Sequence, residues 1–308
     1  MYVINKLNFL KKNKFFILLT ILSLFISATY FKDNLKSAFK SYGNDNLYRV
    51  YALKTPENIS FCGEEVPLEL LDVRERLDRE LLVNTYWQSN MLLLIKRSYR
   101  FFPLIEKILK EEDVPQDFKY LAVIESGLEN VRSPKGAKGI WQIMSGTARE
   151  YGLEVNKNVD ERYNLELSTR AACKYLKKAK DKFGSWTLAA AAYNRGIMGI
   201  SRNLSRQKVE NYYDLLLGRE TSRYIFRILA VKEIMENANN YGFIFQENDL
   251  YKPYEIKKIE LDTAISNITD FSKKMGINYK TMKLHNPWLL ENHLNNKSRK
   301  KYIIKIPN

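Results

Sequence analysis

The chain has 308 residues, 45% of them hydrophobic, 13% aromatic and 28% charged, with 13 glycines and 8 prolines. That composition excludes a disordered polymer, a collagen and a low-complexity tail, because it carries enough apolar mass for a large core, and the length suggests about two domains. Lys and Arg number 50 against 35 Asp and Glu, a net charge of +15, which favours an anionic partner. Two cysteines and two histidines exclude a disulfide framework and argue against a zinc site, so no metal and no cofactor is expected.

Lys6, Lys11, Lys12 and Lys14 precede the uncharged run Phe15 to Phe31, and Lys32 closes it. A basic flank before an apolar stretch is the pattern of an export signal or an amino-terminal membrane anchor, and 1–32 is assigned to one or the other. The small-residue cleavage pattern is spoiled by Ile26, so cleaved and uncleaved forms stay open. The lysines would hold the amino terminus in the cytoplasm and place the rest outside the inner membrane, in the periplasm. That compartment, and the lack of a basic or aromatic-basic stripe, argue against nucleic acid. In an oxidising space Cys62 and Cys173 could pair, although Cys173, after Ala171 and Ala172, reads as a small buried thiol.

Residues 33–67 mix polar residues, Gly and Pro without a sustained period and read as a spacer. From Leu68 the pattern turns helical: Leu70, Leu71, Val73, Leu77, Leu81 and Leu82, then Met91 to Ile95, Tyr99, Phe102, Ile105 and Leu109. Pro103 is expected to start or kink a helix. Asp113 and Pro115 signal a helix running from Phe118 to about Ser126, stopped at Gly127. Ser133 to Gly139 is a loop by composition, and short helices follow over 140–151. Ser168 is expected to cap a helix ending at Gly184; an alanine-rich helix covers 186–193, and the last long one 220–241. No alternating strand interrupts 68–245, which predicts an all-α domain.

The carboxyl-terminal segment, 250–308, reads β-α-α-β: strands at 254–260 and 301–306, helices at 263–275 and 278–284. It holds 12 Lys or Arg against 5 Asp or Glu, so nearly half the net charge sits in this small α+β unit, which suits an acidic surface.

The side chain best placed for chemistry is Glu125. Leu121 and Ala122 lie one turn behind it and Phe118 two turns behind, so its helical face is apolar. Desolvation would raise its pKa and make it a proton donor near neutral pH. A partly exposed glutamate near a helix end is the plain alternative.

The motifs that follow raise its standing: Glu125-Ser126, Gly139-Ile140-Trp141-Gln142-Ile143, Ala192-Tyr193-Asn194-Arg195-Gly196 and Glu220-Thr221-Ser222-Arg223-Tyr224. In order and spacing this series resembles the lysozyme-like lytic transglycosylases of the Slt and goose-type lysozyme superfamily (glycoside hydrolase family 23), membrane-bound murein transglycosylase D type. The resemblance covers about 68–241, with its motif core in 113–241. It implies a lysozyme-like fold and non-hydrolytic cleavage of peptidoglycan, the expected partner. Glu125 would be the sole catalytic acid/base. Ser126 would orient the sugar, Gly139 would let backbone approach the glycan, and Gln142 would hydrogen-bond it. Tyr193 would place its hydroxyl on the Glu125 carboxylate and Asn194 would contact an N-acetyl group. Glu220 and Tyr224 would complete the groove wall, while Trp141 and Tyr193 suit core packing equally well. Arg195, Ser222 and Arg223 depart from the usual pattern.

With one carboxylate where glycosidases ordinarily need two, the resemblance implies that the muramyl acetamido and 6-hydroxyl groups supply the rest, giving a 1,6-anhydro end. Residues 250–308 are similar to a LysM domain, a binder of N-acetylated glycans, but lack its usual glycine-aspartate turn, so glycan binding and mere packing stay open. A hydrolase of the same fold would need a second carboxylate, for which Glu129, Asp160 and Glu161 are candidates. A non-catalytic wall-binding protein is the other alternative.

Overall fold

Apolar spacing along the chain resolves into helices wrapped around one that is buried on nearly every side. In the computed structural model the described residues are 50–308, with Ser27, Thr29 and Lys32 in helical conformation; the expected anchor 15–31 otherwise lies outside them. Residues 53–308 form one unit, separate from 1–52. Among the described residues no helix is long and apolar enough to cross a membrane.

The unit begins earlier than the sequence pattern indicates. Strands β1 (Ser60–Phe61) and β2 (Glu64–Glu65) pair antiparallel. Their turn, Cys62 and Gly63, has positive φ at both positions, the geometry that matches strand twist in a two-residue hairpin. Ile59, Phe61, Val66 and Leu68 are buried in the main core, and Phe61 meets Phe118 edge-on at 5.3 Å. This part of 33–67 is therefore packed structure and not spacer; strands of two residues are too short to show alternation.

Helix α1 (Leu71–Tyr86) buries Val73, Leu77 and Leu81 at four-residue spacing. Trp87 separates it from α2 (Gln88–Glu111), a long helix that continues through Pro103. Pro103 therefore does not start a helix but lies within one; it is exposed, where the carbonyl it leaves unbonded can meet water. Helix α3 (Phe118–Ser126) stops at Gly127, whose left-handed φ of 63° and N–H bond to the Val123 carbonyl close it. Helix α4 (Ser145–Glu150) is short. The cap of α5 (Leu165–Phe183) is Asn164, whose side chain accepts from the Glu166 and Leu167 amides. Ser168, the expected cap, is buried inside the first turn.

Helix α6 (Trp186–Arg195) is capped by Ser185. Its alanines 189–192 are fully buried, and the absence of longer side chains lets α5, α7 (Ile197–Gln207) and α8 (Arg219–Glu236) close around it. Helix α8 is buried from Tyr224 to Val231 apart from Arg227 and packs on α1, α3 and α6. It is the central post of the helical part.

The carboxyl-terminal part is the expected β-α-α-β unit. Strand β3 (Ile256–Leu261) pairs antiparallel with β4 (Tyr302–Pro307) in the register Ile259↔Ile304, with α9 (Ile268–Lys274) and α10 (Tyr279–His285) between them. Its core gathers Ile268, Met282, Trp288, Leu289 and Ile304 and takes in Val159 from the helical part. The Asp160 amide donates to the Trp288 carbonyl at 2.9 Å and the Leu290 amide to the Asn158 carbonyl at 3.0 Å. Lys300 bridges Glu154 at 2.9 Å and Glu161 at 2.6 Å, and Lys258 and Lys305 meet Glu166. Three of the module's lysines thus meet carboxylates of the helical part itself.

The interface sets a pH dependence. Burial acts to raise the pKa of Glu154, but hydrogen bonds from Lys300 and Tyr302 outweigh it and hold the carboxyl below its ordinary value of 4.5. With a depressed folded pKa, the stabilisation is complete above the unfolded value and is lost as pH falls through the folded one. Lys300→Ala should cost roughly 1–2 kcal/mol of stability, Lys300 being partly exposed, with the loss shrinking in acid. Calorimetric unfolding at neutral and acid pH measures it; an unchanged melting temperature at neutral pH would contradict the assignment.

Candidate active site

Glu125 stands at the last turn of α3, where apolar packing meets an open cleft of about 680 Å³. Behind it Phe118, Leu121 and Ala122 are fully buried. In front, the cleft is lined by Glu80, Asn84 and Trp87 from α1 and its end, and by Glu220, Arg223 and Arg227 from α8. Residues 220, 223 or 224, 227 and 231 share one face of a helix, which is why α8 presents several of them to the same opening.

Three groups set the state of the carboxyl. Desolvation is the largest influence and drives the pKa up; the Tyr224 hydroxyl and the Arg227 guanidinium pull it down, and the Glu220 charge pushes it up again. The balance leaves Glu125 raised from 4.5 to about 7. Tyr224, buried against α3, donates a hydrogen bond to Glu125 Oε1. Arg227 also donates to the Ile124 carbonyl at 2.8 Å, which locks its position beside the acid. A carboxyl poised this way can give a proton and take one back near neutral pH.

The tyrosine expected on Glu125 is therefore replaced by another. Tyr193 donates to the Trp141 carbonyl at 2.8 Å and lies near enough for the Glu125 charge, after burial, to raise its own pKa. The reason is geometric: Tyr193 leaves α6 towards the 139–143 loop, whereas α8 packs directly on α3.

The second motif braces the site from behind. Trp141 is 0% exposed and its indole N–H donates to the Thr169 hydroxyl at 2.8 Å. Gln142, held at a positive φ of 48°, spends its amide on the carbonyls of Gly139 at 2.8 Å and Val131 at 3.1 Å. Ser126 donates to the Ile140 carbonyl at 2.8 Å, tying the loop to α3. Gly139, at φ +81°, has the Arg162 carbonyl oxygen 2.0 Å from where a Cβ would lie. Its missing side chain admits that peptide rather than a glycan. Of Ser126, Gly139, Trp141 and Gln142, only Ser126 lines the cleft. Asn194 joins α6 to α8, donating to Glu220 at 3.1 Å and accepting from Thr221 at 2.8 Å.

The candidate second carboxylates are all engaged away from the cleft. Asp160 is buried and gripped by Arg162 at 2.8 Å and Lys138 at 3.0 Å. Glu161 is buried against Lys300, and Glu129 pairs with Arg97 at 3.0 Å. Glu80, which the motif reading missed, does line the cleft, but Arg223 holds it through both oxygens at 2.6 and 3.1 Å. An acidic residue in the apolar repeat of α1 was the available signal. Cys62 and Cys173 are both free thiols; burial pushes both up, Cys173 to about 12.

Comparison with known proteins matches this architecture. Residues 102–216 match the transglycosylase SLT domain, and residues 257–308 the soluble lytic transglycosylase C-terminal LysM-like domain. The chain is 29% identical over 225 residues to membrane-bound lytic murein transglycosylase D of Escherichia coli strain K12, covering 67% of this chain and 49% of that protein. The same holds for the protein of that name from strain CFT073. A putative tributyltin chloride resistance protein of Alteromonas sp. strain M-1 is 29% identical over 117 residues, 36% of this chain and 56% of that one. The chain carries a transglycosylase SLT domain followed by a LysM-like domain. It spans about half the length of the murein transglycosylases it matches. The SLT match ends before α8, so Tyr224, Arg227 and the α1 wall of the cleft lie outside it.

Two substitutions test this geometry. Tyr224→Phe removes a hydrogen bond to the charged form of Glu125, so the Glu125 pKa should rise above about 7; carbon-13 titration of that carboxyl reads it, and a downward shift would refute the arrangement. Gly139→Ala should destabilise by roughly 2–3 kcal/mol in chemical denaturation. Gly136→Ala, also at positive φ but facing open space, should cost only about 1 kcal/mol.

Proposed function

We propose that the chain is a peptidoglycan lytic transglycosylase, cleaving the β-1,4 bond between N-acetylmuramic acid and N-acetylglucosamine without water. The observation that carries the reading is Glu125: a carboxyl with a pKa near 7, at the floor of an open cleft, with every other nearby carboxylate held by a cation or an amide. Protonated Glu125 donates to the glycosidic oxygen, which leaves with the glucosaminyl half. The muramyl acetamido oxygen stabilises the cation developing at C1. Glu125, now a carboxylate, accepts the proton of the muramyl 6-hydroxyl, whose oxygen bonds to C1. Acid and base are one residue, restored at the end, so no second carboxylate is needed.

Tyr224 and Arg227 keep the ionised intermediate state accessible against desolvation, and the Gly139–Ile143 loop, with Ser126, fixes the end of α3. Glu220 adds a negative charge across the cleft that favours the protonated resting form of Glu125. Asn194, expected on an N-acetyl group, is not among the residues lining the cleft and instead holds Glu220 and Thr221.

On this reading 1–32 exports the chain or anchors it through 15–31, and the domain at 68–245, extended by the hairpin before it, acts on murein in the periplasm. The module at 250–308 serves first as a packed support, given its ion pairs to Glu154, Glu161 and Glu166.

Glu125→Gln keeps shape and removes the proton. Turnover of purified peptidoglycan should fall by a factor of about 10²–10⁴ or more. Product masses one water lighter than hydrolytic muropeptides identify the transglycosylase; reducing muramyl ends would mark a hydrolase, and activity unchanged by Glu125→Gln a non-catalytic site.

A further inference from the structure

Trp87 sits where α1 ends and α2 begins, and it is 61% exposed on the wall of the same cleft as Glu125. Trp141 and Trp288 are buried and Trp186 is half-buried, so Trp87 is the most exposed of the chain's four tryptophans. A tryptophan left that open forfeits a large hydrophobic burial, and here the loss falls at the edge of a cleft.

The backbone beneath it is fixed. The Trp87 amide donates to the Val83 carbonyl at 3.1 Å and the Trp87 carbonyl accepts from the Met91 amide at 3.1 Å. The residue thus belongs to the hydrogen-bond ladders of both helices while its φ of −88° and ψ of 59° turn the chain between them. Val83, exposed one turn earlier, and the side chains of Asn84 and Asn90 line the same wall. Asn84 commits its amide nitrogen to the Glu80 carbonyl at 2.8 Å, which fixes its orientation.

From this arrangement we infer that Trp87 is the stacking platform of a sugar subsite, with Asn84 and Asn90 meeting the polar edge of the ring. A pyranose presents apolar C–H groups on its faces and hydroxyl and acetamido groups around its rim. A flat aromatic flanked by amides matches both, in the manner of sites that bury an apolar body and orient it with a few polar groups. Because both helices hold the ring's backbone in place, little entropy is lost on binding. The subsite rests on the glycan-cleaving reading of this cleft and adds to it a residue outside the SLT match. Trp87 binds substrate; it has no part in proton transfer.

The test compares wild type, Trp87→Ala, Trp87→Phe and Glu125→Gln, all full-length, on purified glycan strands. Trp87→Ala should raise KM by roughly 10-fold with kcat little changed, and Trp87→Phe should recover most of the loss. In the Glu125→Gln background, N-acetylchitohexaose should change tryptophan fluorescence, and Trp87→Phe should abolish the change. If wild type turns over, Glu125→Gln does not, and Trp87→Ala matches wild type in KM, the subsite is wrong while the function stands. If Glu125→Gln is as active as wild type, the functional reading fails and the subsite with it.

Discussion

A single carboxyl is held on the border between a packed core and open solvent, and the surrounding structure exists to keep it there. Burial against Phe118, Leu121 and Ala122 disfavours its charge; Tyr224 and Arg227 restore part of what burial removes. Neither influence alone gives a group useful in both directions. An isolated buried glutamate would stay protonated, and a well-paired one would stay ionised. Because the two opposing effects come from different helices, the pKa of Glu125 depends on how α8 seats against α3, which makes the packing of those two helices a chemical parameter.

That dependence explains why so many motif residues turn inward. Trp141, Gln142, Gly139, Ser126 and Tyr193 form a connected brace in which Ser126, Gln142 and Tyr193 donate to backbone carbonyls and Trp141 to the Thr169 hydroxyl. The brace joins the 139–143 loop to α3, α5 and α6, and Arg162, itself locked to Asp160, fills the space that Gly139 leaves. The position of one acid is fixed by immobilising its supports, as for any side chain that rests on rigid elements.

The carboxyl-terminal unit takes part in this rigidity. It docks on residues 154–166, the same stretch that carries Asp160 and Arg162, and its lysines neutralise Glu154, Glu161 and Glu166. The brace behind Glu125 and the seat of the module are two sides of one segment. A charge excess that suits an external acidic surface when read along the chain is thus partly consumed inside the molecule.

Local pattern in the sequence determined what depends on neighbours a few residues apart: the helical periods of α1, α2 and α5, the Gly127 and Gly184 stops, the β-α-α-β order of residues 250–308, and the apolar face behind Glu125. The four motifs, matched in order, singled out the acid. What depends on contacts between distant segments was decided only by the tertiary structure. The hairpin at Ser60–Glu65 is too short to carry a period. The partner of Glu125 is Tyr224 instead of Tyr193 because two helices nearly a hundred residues apart pack together. Glu80 and Trp87 look like ordinary positions of an amphipathic segment until folding brings α1 alongside α8. A sequence states which side chains are available and how each turn of helix is faced; which of them meet across a cleft follows from helix packing, and that is a property of the whole core.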